Sequence, residues 1–326
     1  MTSHGTPRNV ALLNYPGAQL AALYGLKDMF EVANSFASGH GAGLLVPHVV
    51  DVIEGNTEVC PAALIKLETC AAIIAPPSLQ QEKYRGHNAL HHWMAAQHDK
   101  GAVLSSACAG AFLLAASGRL NGRPATTHWA LSRQFGENFP EVHLKTDQLI
   151  IDDGDIITAG GVMAWTDLGL RIVERFMGPS IMLQLAHQLL IEPGGREQRF
   201  YKTFLPELQH GDGAILKVQH WLQTAYSDSL TVSEMAERAG LTARTFLRRF
   251  HRDTGHKPNT YLQMVRVEKA RSQLELSSRP VDEIAWSVGY QDPAAFRKVF
   301  QKVIGLSPGE YRKRFSPAGA MKRSEA

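Results

Sequence analysis

The sequence predicts an α/β N-terminal domain built on a parallel sheet, followed by an all-α C-terminal domain with two helix-turn-helix units. Three observations lead there. Short apolar runs alternate with helical patterns from residue 8 to residue 190, as expected of buried parallel strands covered on both faces. One supersecondary unit is written twice between Leu230 and Phe315. Charge is also divided: residues 213–326 hold 19 Lys and Arg against 11 Asp and Glu, whereas residues 1–212 hold 15 against 20. The net charge of +3 on this 326-residue chain therefore hides a basic C-terminal part, the electrostatic footprint of nucleic-acid binding. A chain of this length is expected to form two cores, with domains at 8–195 and 213–315, a linker at 196–212 and a tail at 316–326.

The elements follow in order. Val10 to Asn14 reads as a strand ended by Tyr15-Pro16-Gly17, and the helical pattern after it places Leu20, Leu23, Leu26 and Phe30 on one face. Strands are expected at 44–51, at 71–75 before Pro76-Pro77, and at 102–107; a helix over 87–99 precedes the last of these. A second apolar helix, 109–117, stops at Gly118. Short strands at 141–145, 148–152 and 155–158 follow, with Asp153-Gly154 as a hairpin turn. Helices over 161–176 and 180–190 are separated by Gly178-Pro179, and a helix over 214–226 opens the second domain.

In the repeat, each copy begins with a short helix, 232–239 or 281–288, that presents Met235 or Ile284 inward beside a small Ala236 or Ala285. Gly240 and Gly289 then supply the left-handed turn that ends it. A second helix follows with Phe246 and Phe250, or Phe296 and Phe300, at i and i+4 on one apolar face. The turn glycines lie 49 positions apart but the phenylalanines 50, so the second copy holds one extra residue between turn and helix. The outer faces are basic, which is the arrangement that lays a recognition helix in the DNA major groove. Arg244, Thr245, Arg248 and Arg249 in the first copy, and Gln291, Asp292, Arg297 and Lys298 in the second, are the expected DNA-binding residues.

Two such units, joined by a helix over about 259–276 and ending in Gly305-Leu306-Ser307-Pro308-Gly309-Glu310-Tyr311-Arg312, resemble the DNA-binding domain of the AraC/XylS family of bacterial transcription regulators. That resemblance implies double-stranded promoter DNA and RNA polymerase as partners. It also implies an activator's role. The N-terminal domain is expected to form a homodimer, and the lack of an apolar signal core or spanning run leads us to expect the cytoplasm.

Cys108 stands where a buried strand meets a helix, in Ser106-Ala107-Cys108-Ala109-Gly110, the layout of a nucleophile elbow. A helix N-terminus behind it is expected to lower the thiol pKa, and His128, in Ala125-Thr126-Thr127-His128-Trp129, is available to pair with it. The elbow, these residues, Asp152-Asp153-Gly154, and Thr158-Ala159-Gly160-Gly161 followed by Asp167 resemble the PfpI-like, class I amidotransferase-like domain, a flavodoxin-like parallel sheet. That domain is found fused to AraC-type domains in GlxA-type regulators. In its enzymatic members the cysteine and histidine act with an acidic residue.

Two departures point away from catalysis here. Ala22 stands where those members often have Asp or Glu, and Ala75-Pro76-Pro77-Ser78 replaces a Pro-Gly-Gly loop that donates an N–H to the oxyanion. The expectation is a vestigial Cys108 and His128 in a non-catalytic site for a small-molecule effector, walled by Cys108, Ala109, His128 and Trp129. The alternative is a cysteine-dependent hydrolase or amidase with an appended DNA-binding domain. No cofactor is expected. His87, His91, His92 and His98 read as a solvated helix face rather than a metal site, and three cysteines without a Cys-x-x-Cys pair suggest no structural zinc. No apolar run approaches the ~20 residues that span a bilayer.

Overall fold

A computed structural model describes residues 6–52, 67–78, 80, 88–194 and 196–317. The chain divides into two compact units, Met1–Gln198 and Arg199–Ala326.

In the first unit, β1 (Arg8–Asn14), β2 (Leu45–Asp51), β3 (Ala72–Ala75), β4 (Val103–Ala107), β7 (Ile150–Asp152) and β8 (Ile156–Ala159) form one sheet in the order β2-β1-β3-β4-β8-β7. All neighbours are parallel except the β7–β8 hairpin. Reading β8 as the fifth parallel strand gives the flavodoxin-like order 2-1-3-4-5. Alternation along each strand feeds two cores: Ala11, Leu13, Ile73, Ala75 and Leu104 enter one layer, and Val10, Leu12, Ala72, Ile74 and Val103 the other. Helices α1 (Leu20–Ser35), α5 (Trp165–Met177) and α6 (Pro179–Gln188) cover the second layer; α2 (Asn88–Asp99) and α3 (Ala111–Ala116) cover the first.

Several expectations change in detail. Leu20 is exposed, because the buried stripe of α1 runs through Ala22, Leu23, Leu26, Met29 and Phe30. The strand expected over 141–145 shrinks to β6, His143–Leu144, paired with β5, Pro124–Ala125, in a separate two-stranded ribbon. A short helix, α4 (Ser132–Asn138), lies between them.

The second unit is helical: α7 (Gly213–Thr224), α8 (Val232–Arg238), α9 (Ala243–Thr254), α10 (Pro258–Leu276), α11 (Val281–Ser287), α12 (Pro293–Ile304) and α13 (Pro308–Phe315). It has two small cores. Met235, Phe246, Phe250 and Tyr261 anchor one, and Ile284, Phe296, Phe300 and Tyr311 the other. Helix α10 serves both, with Leu262 and Val265 in the first and Val267, Ala270 and Leu274 in the second. Gly240 and Gly289 have φ of 67° and 87°, and a Cβ on Gly289 would sit 2.5 Å from the Ser227 carbonyl oxygen. The extra residue of the second copy is absorbed before the helix cap. Thr242 caps α9 two residues after Gly240, and Asp292 caps α12 three residues after Gly289. From those caps onward the copies run in register.

Candidate functional site

The C-terminal ends of the central strands converge. Tyr15 follows β1 and donates its buried hydroxyl to the Pro76 carbonyl just beyond β3, at 2.5 Å. Strand β4 runs straight into Cys108, whose φ of 53° puts a non-glycine residue in the left-handed region. That conformation costs about 1–3 kcal/mol and persists only where the surroundings enforce it. Here they do: Gly110 lies so near β3 that a Cβ would overlap the Ala75 carbonyl oxygen and stand 2.7 Å from that of Pro76. The backbone N–H groups of Ala109 and of Gly161, which follows β8, lie near the Cys108 sulfur and favour its charged form. Thr127 Oγ1 donates to the Cys108 carbonyl at 2.8 Å, and the Thr126 N–H donates to Thr158 Oγ1 at 2.9 Å. These bonds hold the segment bearing His128 and Trp129 against the elbow. The two rings lie 5.4 Å apart, centre to centre, and both are half-buried.

The electrostatics differ from the sequence expectation. Burial pushes the Cys108 thiol up to about 11, against the smaller opposing effect of its two N–H donors. The helix behind it is a 3-10 turn, Cys108–Gly110, leading into only six α-helical residues, so its dipole cannot offset desolvation. His128 is also pulled down by burial and is neutral near pH 7. Its Nδ1 accepts the Ala130 N–H at 3.1 Å, capping the turn Trp129–Leu131 and leaving the ring proton on Nε2. No hydrogen bond joins Cys108 to His128 among the described residues. Asp167 is nearly buried in the first turn of α5 and is bound by Arg196.

The stretch 196–212, expected as a linker, begins among contacts of the first unit. Gln198, 3% exposed, belongs to the first unit. Its Oε1 accepts the Trp129 N–H at 3.0 Å; its Nε2 donates to Thr126 Oγ1 and the Thr127 carbonyl at 2.9 Å, and to the Gln148 carbonyl at 3.0 Å. A few residues further on, the Lys202 carbonyl accepts from Arg271 at 2.7 Å, and Phe204 packs edge-on to Tyr261 within the second unit. Nothing in the local sequence marks Gln198; a polar residue after a glycine-rich stretch reads as loop. His98, from the histidine cluster, bonds Asp155 at 2.7 Å beside Arg123. His87 lies outside the described residues, and no group of three or more His, Cys, Asp or Glu among the described residues is placed to hold a metal.

On the second unit, Arg244, Leu247, Arg248 and His251 form an exposed i, i+3, i+4, i+7 stripe on α9, and Ala294, Arg297, Lys298 and Gln301 form the matching stripe on α12. Thr245 is half-buried, its hydroxyl accepting from Thr242 at 3.0 Å. Three expected DNA contacts are occupied within the fold. Arg249 grips Asp212, the cap of α7, through two bonds of 2.7 and 2.6 Å, because it points back to α7 rather than outward. Asp292 accepts the N–H groups of Ala294 and Ala295 as the α12 cap. Arg297 pairs with Asp282 on α11. Gln291 and Lys298 are exposed.

A flavodoxin-like sheet with a strained cysteine elbow, followed by paired helix-turn-helix units with basic outward stripes, defines a two-domain DNA-binding transcription regulator. Comparisons with known proteins agree. The DJ-1/PfpI family model matches residues 54–175 and a helix-turn-helix domain model matches residues 235–314, which together make the organisation of GlxA-type, AraC-like regulators. The chain is 27% identical over 322 residues to the HTH-type transcriptional regulator GlxA of Rhizobium meliloti, covering 94% of each. It is 28% identical over 229 residues to the HTH-type transcriptional regulator CdhR of Pseudomonas aeruginosa, covering 69% of this chain and 67% of that one. Among solved structures, DJ-1beta of Drosophila melanogaster matches 57% of this chain and all of its own at 18% identity and a TM-score of 0.45. No helix among the described residues is long and apolar enough to cross a membrane.

Proposed function

We propose that the N-terminal unit binds a small-molecule effector without turning it over, and that binding there sets how the C-terminal unit acts on promoter DNA. The effector site is the crevice of Cys108, Ala109, His128 and Trp129. Arg244, Thr245 and Arg248 of the first helix-turn-helix unit, with Gln291 and Lys298 of the second, meet bases and phosphates. The protein works in the cytoplasm as a homodimer and contacts RNA polymerase as an activator, as the AraC-type organisation suggests.

The observation that supports a receptor over an enzyme is the state of the two groups a hydrolase would need. With its pKa near 11, the thiol is all but fully protonated at pH 7. A base must accept the thiol proton, and His128 has its Nδ1 lone pair in a helix cap and a proton on Nε2. Pro77 has no N–H for an oxyanion, a donor worth about 3–4 kcal/mol of barrier. Ala22, fully buried, supplies no carboxylate.

The test pairs a thermal-shift screen of small metabolites on the full chain with promoter output in cells bearing Cys108→Ser. A receptor gives a saturable shift that grows as RT ln(1 + [L]/Kd), and a promoter that still responds. The strained φ of Cys108 is the feature that favours the rival reading, a cysteine hydrolase. Amide or ester turnover by the purified protein, lost in Cys108→Ser together with the promoter response, establishes that reading instead.

A further inference from the structure

Leu247 is 41% exposed on the outward stripe of α9. Scattered surface leucines need no explanation, but this one sits three residues from Arg244 and next to Arg248, and neither arginine has a carboxylate partner among the described residues. The stripe otherwise consists of Arg244, Arg248 and His251, all polar and exposed. Counting from the helix caps, the same position of α12 is Arg297, which is tied to Asp282. The first recognition helix therefore presents an apolar side chain alongside two guanidinium groups that have no carboxylate partner among the described residues, and the second does not. In the major groove the one apolar feature on a base edge is the 5-methyl group of thymine.

We propose that Leu247 is a specificity-determining residue that reads a thymine methyl, next to base pairs or phosphates held by Arg244 and Arg248. The inference rests on α9 being the helix that enters the groove, and it adds which base α9 selects. The two guanidinium groups fix the helix against the duplex, and the leucine beside them then excludes water from the methyl. A cytosine at that place offers an amino donor that leucine cannot pair, so discrimination comes from both the methyl gained and the donor left unpaired.

The experiment uses the full chain and a duplex selected from a randomised pool. Each thymine in turn is replaced by deoxyuridine, which deletes only the methyl. The expected result is one position, near the bases sensitive to Arg248→Ala, where deletion weakens wild-type binding roughly fourfold, the worth of one buried methyl. Leu247→Ala should bind the thymine and uracil duplexes equally, and Leu247→Gln should do the same, guarding against a folding defect in either variant.

If no methyl matters more to the wild type than to the two variants, the proposal fails. Should Arg248→Ala still alter base preference in that case, α9 remains a groove-reading helix and only the role of Leu247 is lost. Failure of the selection to return any preferred sequence, or unchanged preference in both Arg244→Ala and Arg248→Ala, overturns the parent reading and this one together.

Discussion

Replacing Gln198 with alanine removes the amide that holds the His128–Trp129 segment in place, and its effect can be worked out from the bonds. Four contacts of a side chain only 3% exposed are lost; the Trp129 N–H is left without its partner, and the Thr127 and Gln148 carbonyls are left to share the single Thr126 hydroxyl proton, so that about two groups go unpaired. Each buried group left unpaired costs about 1–3 kcal/mol. Water entering the space vacated by the side chain would recover part of that, leaving a net loss of about 3 kcal/mol for the first unit. A unit of this size shifts by about 2–4 °C per kcal/mol, so its melting transition should fall by about 6–12 °C in calorimetry of the full chain. Gln198→Glu should be no better, because it keeps an acceptor for Trp129 but turns a carboxylate toward two carbonyls. A fall of less than about 2 °C for Gln198→Ala would show that the amide does not hold this segment.

Three further outcomes follow from the geometry. Arg249→Ala should lower the melting temperature of the second unit, since it strips Asp212 of its bidentate partner and leaves it only Arg252 at 3.2 Å, whereas Arg248→Ala should leave melting unchanged and weaken specific DNA binding about tenfold; equal melting of the two variants would contradict this. The Arg249 guanidinium holds the Asp212 carboxyl down to about 2, so its contribution is complete above 3.8 and lost as pH falls through about 2; the melting gap between wild type and Asp212→Asn should close over that range. Alkylation of Cys108 by iodoacetamide should rise about tenfold per pH unit toward pH 11, and a plateau near pH 8 would mean that burial does not govern the thiol.

Some of this was legible in the sequence and some was not, for physical reasons. The helix-turn-helix copies depend on local signals: a capping residue, two phenylalanines one turn apart, and a glycine where the helix ends. Such signals survive without knowledge of distant neighbours. Arg249 is different. Its partner lies 37 positions away, and helical periodicity alone could not say whether it faced solvent or α7. Gln198 meets Thr126 across 72 positions, and nothing near it in the sequence announces that contact. At Cys108 the turn was legible from its small neighbours, but the direction of the pKa change was not. A sequence displays the helix that stabilises a thiolate, while the desolvation that opposes it depends on the finished core.

The register shared by the two recognition helices has an evolutionary and practical consequence. After the caps at Thr242 and Asp292, the phenylalanines, the left-handed glycines Gly255 and Gly305, the next caps Lys257 and Ser307, and the buried tyrosines Tyr261 and Tyr311 recur at a constant offset of 50. The extra residue of the second copy lies upstream of all of them. Each helix is thus an interchangeable cassette whose inward positions are standardised while its outward ones are free to vary. Duplication of such a cassette lets one copy acquire a new base preference while the other holds the old one. In the laboratory, the stripe of α12 could be grafted onto α9 without disturbing either core, recoding half of the operator in one step.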